Sequence, residues 1–397
     1  MTRAILVLLC LGLLPVVAAA QSWVAERVDS SNTNGECTLV ATDRGSTYLV
    51  YTRGPGHVLR CACDEDHTWS IVTLDSNGKQ WPSKPRQNAS GLPELAYTRV
   101  SLRDDTWQLR VAQLSDSGWV TAIVDSGPWY DDVIVTPSPR PSYSVAGTGT
   151  RAVAYGCATS DSTWDVRVAR MVADTWQRET VWSGARTGDW LWVPQPFLSL
   201  VPGDSERVWF SLYDPAPVDT GYLFLASRTD SGWAQDTIDR ISRAGFDLYA
   251  SEADSKGRHH LVYTSNWGLC YRTGIQDSWT VEVVRAPFGR GEEGADMVMS
   301  EGTPYIASSA TMDALLCSYY VPPVWVHESI PSAAGLGPCI TQESDGTLVA
   351  RYWVSLDLLY ARRLADDVTE VGSAVPLQAT LLVGQNPVRT RLNIAYA

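Results

Sequence analysis

The chain has very little lysine and too little positive charge. Lysine occurs only at positions 79, 84 and 256, and 31 Lys and Arg stand against 44 Asp and Glu. The formal net charge is −13 and the pI is about 4.8. A nucleic-acid partner needs a basic face to neutralise phosphates, so this balance argues against that class. It disfavours an anionic membrane surface for the same reason. After residue 20 no apolar run is long enough to span a bilayer. There is no CxxC pair and no cysteine–histidine spacing of the metal-ligand kind. There is no GxSxG, P-loop or HExxH motif. "DSNG" at 75–78 and "ESDG" at 343–346 echo calcium loops but lack their ligand series. His259 and His260 open a strand, where alternation points the two rings to opposite faces, against a shared metal. No cofactor and no metal are expected.

Residues 1–20 read as a removable export signal. Arg3 supplies the positive region, "AILVLLCLGLLPVVA" the apolar stretch, and "AAA" before Gln21 the small-residue cleavage site. Leu9 precedes Cys10 where a lipobox requires a small residue, which argues against a lipoprotein. The mature chain is therefore expected to be secreted or extracytoplasmic, with cell-surface attachment open. Asn88-Ala89-Ser90 is a glycosylation sequon, relevant only in a eukaryotic secretory host. Seven cysteines remain after the signal, an odd number that cannot all pair within one chain. Most occupy slots where sister segments have Val, Leu, Ala or Tyr, so they read as small buried hydrophobes. Disulfide pairing is left open.

What fills the chain is one sentence written seven times. A strand opens on Trp69 in "WSIVTL", Trp119 in "WVTAIV", Trp176 in "WQRETV", Trp233 in "WAQDTI", Trp279 in "WTVEVV" and Trp325 in "WVHESI". A seventh, "DVTEVG" at 367–372, has Asp367 in the Trp slot. The strand before it repeats as "LRCAC", "LRVAQ", "VRVAR", "LFLAS", "LCYRT", "LLCSY" and "LLYAR". The one before that repeats as "LVYT", "LAYT", "VAYG", "WFSL", "LVYT", "IASS" and "VARY", and a weaker strand precedes each. Period-two alternation, short lengths and Gly/Asp/Ser turns make these strands. Four strands recurring every 45–57 residues, as the spacing of these segments shows, are the mark of propeller blades. The sequence thus predicts an all-β, seven-bladed propeller of four-stranded blades over 21–375. The blades fall at about 36–75, 85–125, 138–183, 193–239, 245–285, 294–331 and 336–373, positions read from the repeats. The repeated Trp and Tyr suit the wedge-shaped gaps between blades. "WVAERV" at 23–28 is an eighth outer strand with no blade before it. A ring must be closed or it exposes edges, so this strand is expected to join blade seven, competing with or lying beside "DVTEVG".

This pattern resembles secreted bacterial propellers of the sialidase-like, BNR-repeat kind, over about 23–375. "SDSGW" at 115–119 and "TDSGW" at 229–233 are shortened echoes of that family's Asp-box; "DEDHTW" and "ADTW" keep less. The resemblance implies a glycoside hydrolase, but its Arg-Ile-Pro is missing. Arg53, Arg99 and Arg351 do not align with the family's arginine triad. Carrying the activity over would rest on fold alone. At the other end, "LLVGQNPVRTRLNIAYA" at 381–397 resembles the opening strand of Ig-like C-terminal sorting domains on type IX secretion cargo, with Asn386-Pro387 as its turn. Residues 376–397 then read as a linker and a truncated start of such a domain, or as an ordinary last strand.

Ligand sites on propellers gather where outer strands cross to the next blade and where second strands turn into third. The crossovers here carry Trp129, Tyr130, Asp131 and Asp132; Asp189, Trp190 and Trp192; and Arg290, Glu292 and Glu293. The hairpins add His57, Trp107, Trp164 and Trp267. Aromatic rings with carboxylates suit sugar binding, suit a protein interface equally, and also suit loops packed onto the ring. Paired carboxylates about 5–9 Å apart would be needed to hydrolyse a glycoside, and catalytic residues are not identified. The expectation is a monomeric, non-catalytic binding or scaffold propeller that recognises a surface glycan or a partner protein. The alternative is a sialidase-like glycoside hydrolase.

Overall fold

The computed structural model describes residues 23–363, except 31–36, 55–57, 66–67, 102, 130–139, 147, 161–162, 186–195, 202–204, 215–219, 243–247, 255, 266, 276–277, 287–293, 312–313, 331–334 and 355–356. The described chain is strand and turn, in seven antiparallel sheets. The protein is a seven-bladed β-propeller. Blade 1 comprises Cys37–Ala41, Thr47–Arg53, Val58–Glu65 and Thr68–Asp75. Blade 3 spans Ser142 to Ala185, blade 4 Pro196 to Ser242, blade 5 Leu248 to Arg285 and blade 6 Ala295 to Ile330. In each, strand order in space follows strand order in the chain. First strands of neighbouring blades touch one another around the axis, and outer strands face solvent.

Blade 2 departs from its expected start. It begins at Lys79, not near 85, because its first strand is split into Lys79–Pro82 and Arg86–Gln87. Pro82 and Pro85 make this stretch read as loop, since proline cannot donate to a ladder. Ser83 bridges the gap: its amide bonds to Ala96 O (2.8 Å) and its Oγ accepts from Ala96 N (3.0 Å). The interruption pushes Lys84 out toward the axis, with consequences described below.

Blade 7 is closed as the sequence suggested. Trp23–Asp29 pairs antiparallel with Asp357–Arg363, giving the spatial order Trp23–Asp29, Asp357–Arg363, Leu348–Val354, Gly335–Gln342. "DVTEVG" lies outside the described residues. Trp23 sits in the outer-strand Trp slot of this blade and is buried.

The repeated Trp and its acid have a shared purpose. The indole of Trp69 donates to Glu26 of the preceding blade (2.8 Å), Trp233 to Glu179 (3.3 Å) and Trp325 to Glu282 (3.0 Å). The rings pack the same way: Trp69 on Tyr360, Trp279 on Trp209 and Trp325 on Tyr271, edge to face at 5.1–5.4 Å. All six repeat tryptophans, Trp119 and Trp176 included, are half-buried.

A second inter-blade clasp is stronger, and sequence reasoning missed it. Six outer strands carry a bulge near their end. A bulge shifts the face presented by the residues after it. In four of them the next residue is aspartate, which reaches the neighbouring blade's tyrosine. Asp29 accepts from Tyr51 (2.8 Å), Asp75 from Tyr97 (3.1 Å), Asp125 from Tyr155 (2.7 Å) and Asp239 from Tyr263 (3.1 Å). An arginine joins each pair, namely Arg60, Arg110, Arg167 and Arg272, at 3.5–3.8 Å. Burial foremost pushes all four phenols upward, Tyr97 to about 12, so they stay protonated donors.

The seam between blades 7 and 1 carries both clasps and more. Glu343 also accepts from Thr47 (2.9 Å), and Tyr51 meets Trp353 at 6.2 Å. Deleting residues 23–29 removes Glu26 and Asp29 together and bares the Asp357–Arg363 edge. The expected result is aggregation or loss of cooperative unfolding, read by light scattering and thermal denaturation. Tyr51→Phe is expected to cost about 1.5–3 kcal/mol, the range for losing a bond to a charged acceptor. A parent-like melt from the deletion overturns the closure assignment.

Candidate functional site

The crossover face is bounded by the outer-to-inner crossings and by the hairpins between second and third strands. Of the candidate residues, Trp107, Trp129, Trp164 and Trp267 are described. Tyr130, Asp131, Asp132, Asp189, Trp190, Trp192, Arg290, Glu292, Glu293 and His57 lie outside the described residues. Trp129 is half-buried, packs against the core shared by blades 2 and 3, and donates its amide to Asp105 O (2.7 Å). Trp107 and Trp164 are buried too. Trp267 is different. It stands at the hairpin between His259–Ser265 and Gly268–Ile275 with 72% of its surface exposed. Its amide bonds to Ser265 Oγ (3.0 Å), and Gly268 beside it takes a φ of 107° that suits glycine. The Trp267 backbone is thus tied to the preceding strand while its indole is left in solvent.

The three arginines considered from the sequence are distributed, not gathered. Arg99 pairs with Asp75 of the blade 1–2 clasp at 3.8 Å. Arg351 is fully buried in blade 7, its guanidinium 5.3 Å above Trp353. Arg53 ends the second strand of blade 1 and is half-buried. The two calcium-like loops are committed elsewhere. Asp75 belongs to its clasp, and Glu343 accepts from Thr47, Tyr360 and Arg362 at 2.9–3.0 Å. Asn88 of the sequon is buried, with its Oδ1 accepting from the amides of Ser90 and Leu92 (2.9 and 3.1 Å), so it is a turn residue.

The axis is crossed by a charged strut. Lys84 of blade 2 donates to Asp296 Oδ1 (3.0 Å) and Met297 O (2.8 Å) of blade 6, opposite it in the ring. Arg86 donates to both oxygens of Glu252 in blade 5 (3.0 and 3.1 Å). Burial alone would raise Glu252, but Arg86 and Lys84 outweigh it and hold the carboxyl below its usual range. The second oxygen of Asp296 accepts from Ile340 N of blade 7 (3.0 Å). The split strand of blade 2 is what allows this reach.

The two adjacent histidines are both buried and face opposite ways. His259 lies against Trp209 and Trp279, toward blade 4. His260 lies against Tyr271, whose hydroxyl is 2.6 Å from its Nδ1, toward blade 6. Among the described residues no group of three His, Cys, Asp or Glu is placed to hold a metal ion. Burial first, then Arg207, holds His259 down at about 3.

No protein-family model and no curated protein matches the sequence. Solved structures share the fold. An ulvan lyase of a polysaccharide lyase family, bound to an oligosaccharide of glucuronic acid and sulfated rhamnose, is 12% identical with a TM-score of 0.56, covering 86% of this chain and 95% of its own. The polysaccharide lyase Uly1 is 10% identical with a TM-score of 0.53, over 84% and 90%. An α-L-arabinanase of Penicillium chrysogenum complexed with arabinobiose is 11% identical with a TM-score of 0.50, over 86% and 97%. The fold is thus one that glycoside hydrolases and polysaccharide lyases also use. Identity this low carries the architecture and leaves the chemistry to this chain's own residues.

The buried His259 generates a pH test. Unfolded, it titrates near its ordinary 6.5; folded, it resists protonation down to about 3. Its contribution to stability is present above pH 6.5 and is lost progressively as pH falls toward 3, because only the unfolded chain takes up the proton. His259→Phe is expected to flatten the fall in denaturation midpoint between pH 6.5 and 4. An unchanged acid limb overturns this assignment.

Proposed function

We propose that this protein is an exported, non-catalytic propeller that binds a glycan on its crossover face. The observation that carries the reading is Trp267, a large indole exposed on a hairpin of that face, its amide bonded to Ser265 Oγ. A flat apolar ring stacked on the face of a sugar recovers the burial that the fold leaves undone. Asp75, Arg99 and Arg110 are engaged in the clasp between blades 1 and 2, and Lys84 and Asp296 in the axial strut. The folds that bind arabinobiose and the uronic acid oligosaccharide in similar structures lend the ligand class. The net charge favours neutral sugars over polyanionic ones. The finer family reading, a sialidase-like BNR propeller with an export signal at 1–20 and a sorting segment after 375, belongs to the same proposal.

The test is a glycan array probed with the mature chain, beside hydrolase and lyase assays on the same sugars, sialosides included. Trp267→Ala is expected to leave stability within about 0.5 kcal/mol, as for an exposed side chain. It is expected to weaken binding by about tenfold or more, equivalent to about 1.4 kcal/mol. Turnover lost on changing Asp131 or Glu292 would replace the binding reading with a glycoside hydrolase. Silence on the array, with capture of a protein partner that depends on Trp267, would replace the glycan with a protein.

A further inference from the structure

All seven described cysteines are thiols in this structure, and five of them are buried. Burial pushes Cys157 and Cys317 up to about 12 and Cys61 higher still, which keeps them from forming thiolates. The two that are only half-buried, Cys37 and Cys339, are neighbours. They lie on the first strands of blades 1 and 7, facing each other across the seam where the ring closes. The Cys339 thiol donates to Cys37 O at 2.9 Å, and both residues pack on the same apolar cluster. A carbonyl oxygen lies about 2.4 Å from its own Cα, so the Cys339 sulfur is at most about 5.3 Å from the Cys37 Cα. The same contact bounds the separation of the two Cα atoms at about 8 Å, and a disulfide needs about 4.4–6.8 Å, so at most a small approach of the two strands completes the bond. The backbones on either side are fixed by the Glu343–Thr47 bond and the Tyr51–Trp353 contact.

We propose that Cys37 and Cys339 are a redox-active pair whose disulfide staples the ring shut. The bond joins residues 302 positions apart and ties first blade to last. Its formation needs a disulfide oxidant, such as oxidised glutathione. One cysteine thiolate attacks a glutathione sulfur, making a mixed disulfide and releasing one glutathione thiolate. The second cysteine thiolate attacks the protein-bound sulfur and expels the other. Two protein thiols are oxidised, one disulfide is reduced to two thiols, and the protons pass to the leaving thiolates. The odd count is then accounted for: one pair at the seam and five cysteines used as apolar packing. Cross-linking so distant a pair acts chiefly on the unfolded chain, so the oxidised protein resists opening at its seam.

The test is peptide mapping by mass spectrometry of the full chain, equilibrated with oxidised glutathione and alkylated without reduction. The expected result is a Cys37–Cys339 cross-linked peptide in most molecules, with Cys61, Cys63, Cys157, Cys270 and Cys317 alkylated only after denaturation. The oxidised protein is expected to unfold several degrees higher than the same sample in dithiothreitol. Cys37→Ser and Cys339→Ser are each expected to abolish the cross-link and that difference, leaving a glutathione adduct on the remaining cysteine. The mapping of the unaltered chain stands even if a serine variant misfolds. Absence of the cross-link at equilibrium overturns the proposal, and so does cross-linking of other cysteines in comparable yield.

Discussion

A propeller lives or dies by its closure. Each blade has two apolar faces and cannot bury either alone, so every blade depends on the ring being complete. In this chain closure rests on seven residues, Trp23–Asp29, that lie far from their blade in sequence and complete it in space. They supply more than a hydrogen-bonded edge. Glu26 and Asp29 stand in the positions that the other outer strands use to grip the next blade. The seam is therefore built by the same rules as the other interfaces, and it carries both clasps at once. That concentration fits the place where loop-closure entropy is greatest, since the contacts join opposite ends of the ring.

The interfaces between blades are not equivalent. Four use the bulge, the aspartate, the tyrosine and the arginine together. Between blades 3 and 4, Trp182 and Phe210 occupy the corresponding slots and meet at 6.1 Å, and alongside them the buried Arg170 pairs with the buried Glu206 and with the partly exposed Glu179. Between blades 5 and 6, Arg285 stands where others have aspartate and donates to Ser308 Oγ and Ser309 O. Geometry is conserved around the ring while chemistry changes, because what each wedge demands is filled volume and satisfied polar groups. The axial strut adds a tie that no neighbour-to-neighbour rule supplies, since it links blade 2 to blades 5 and 6.

These ties bear on function by removing candidates. Asp75 and Arg99, near the crossover face, are held in the clasp between blades 1 and 2, and Glu343, in a turn on the opposite side, bonds across the seam to Thr47. Trp267 is the large apolar side chain that the fold leaves exposed on the crossover face among the described residues. Carbohydrate-active enzymes also use this architecture, and at this identity the ligand rests on the chain's own residues.

The repeat alone was enough for the seven blades, the four-stranded unit and the closing strand, because period-two alternation and recurring Trp are local signals that survive in one dimension. The "WxxE" phrase was legible as a repeat, yet its use as a bond between successive blades was not, since donor and acceptor lie about one blade apart in the chain. The aspartate at the end of the outer strand escaped notice for the same reason: only the bulge turns it toward the next blade's tyrosine. Pro82 and Pro85 concealed the start of blade 2, and the reach of Lys84 and Arg86 across the axis depends on distances that no local pattern encodes. Trp129 and Trp267 look alike in sequence, both being tryptophans in loops of one face. One folds onto a core and the other is left in solvent. Sequence determined the repeating unit and its number, because those follow from alternation and turns; the tertiary structure decided partners and exposure, because those depend on which residues the closed ring brings together.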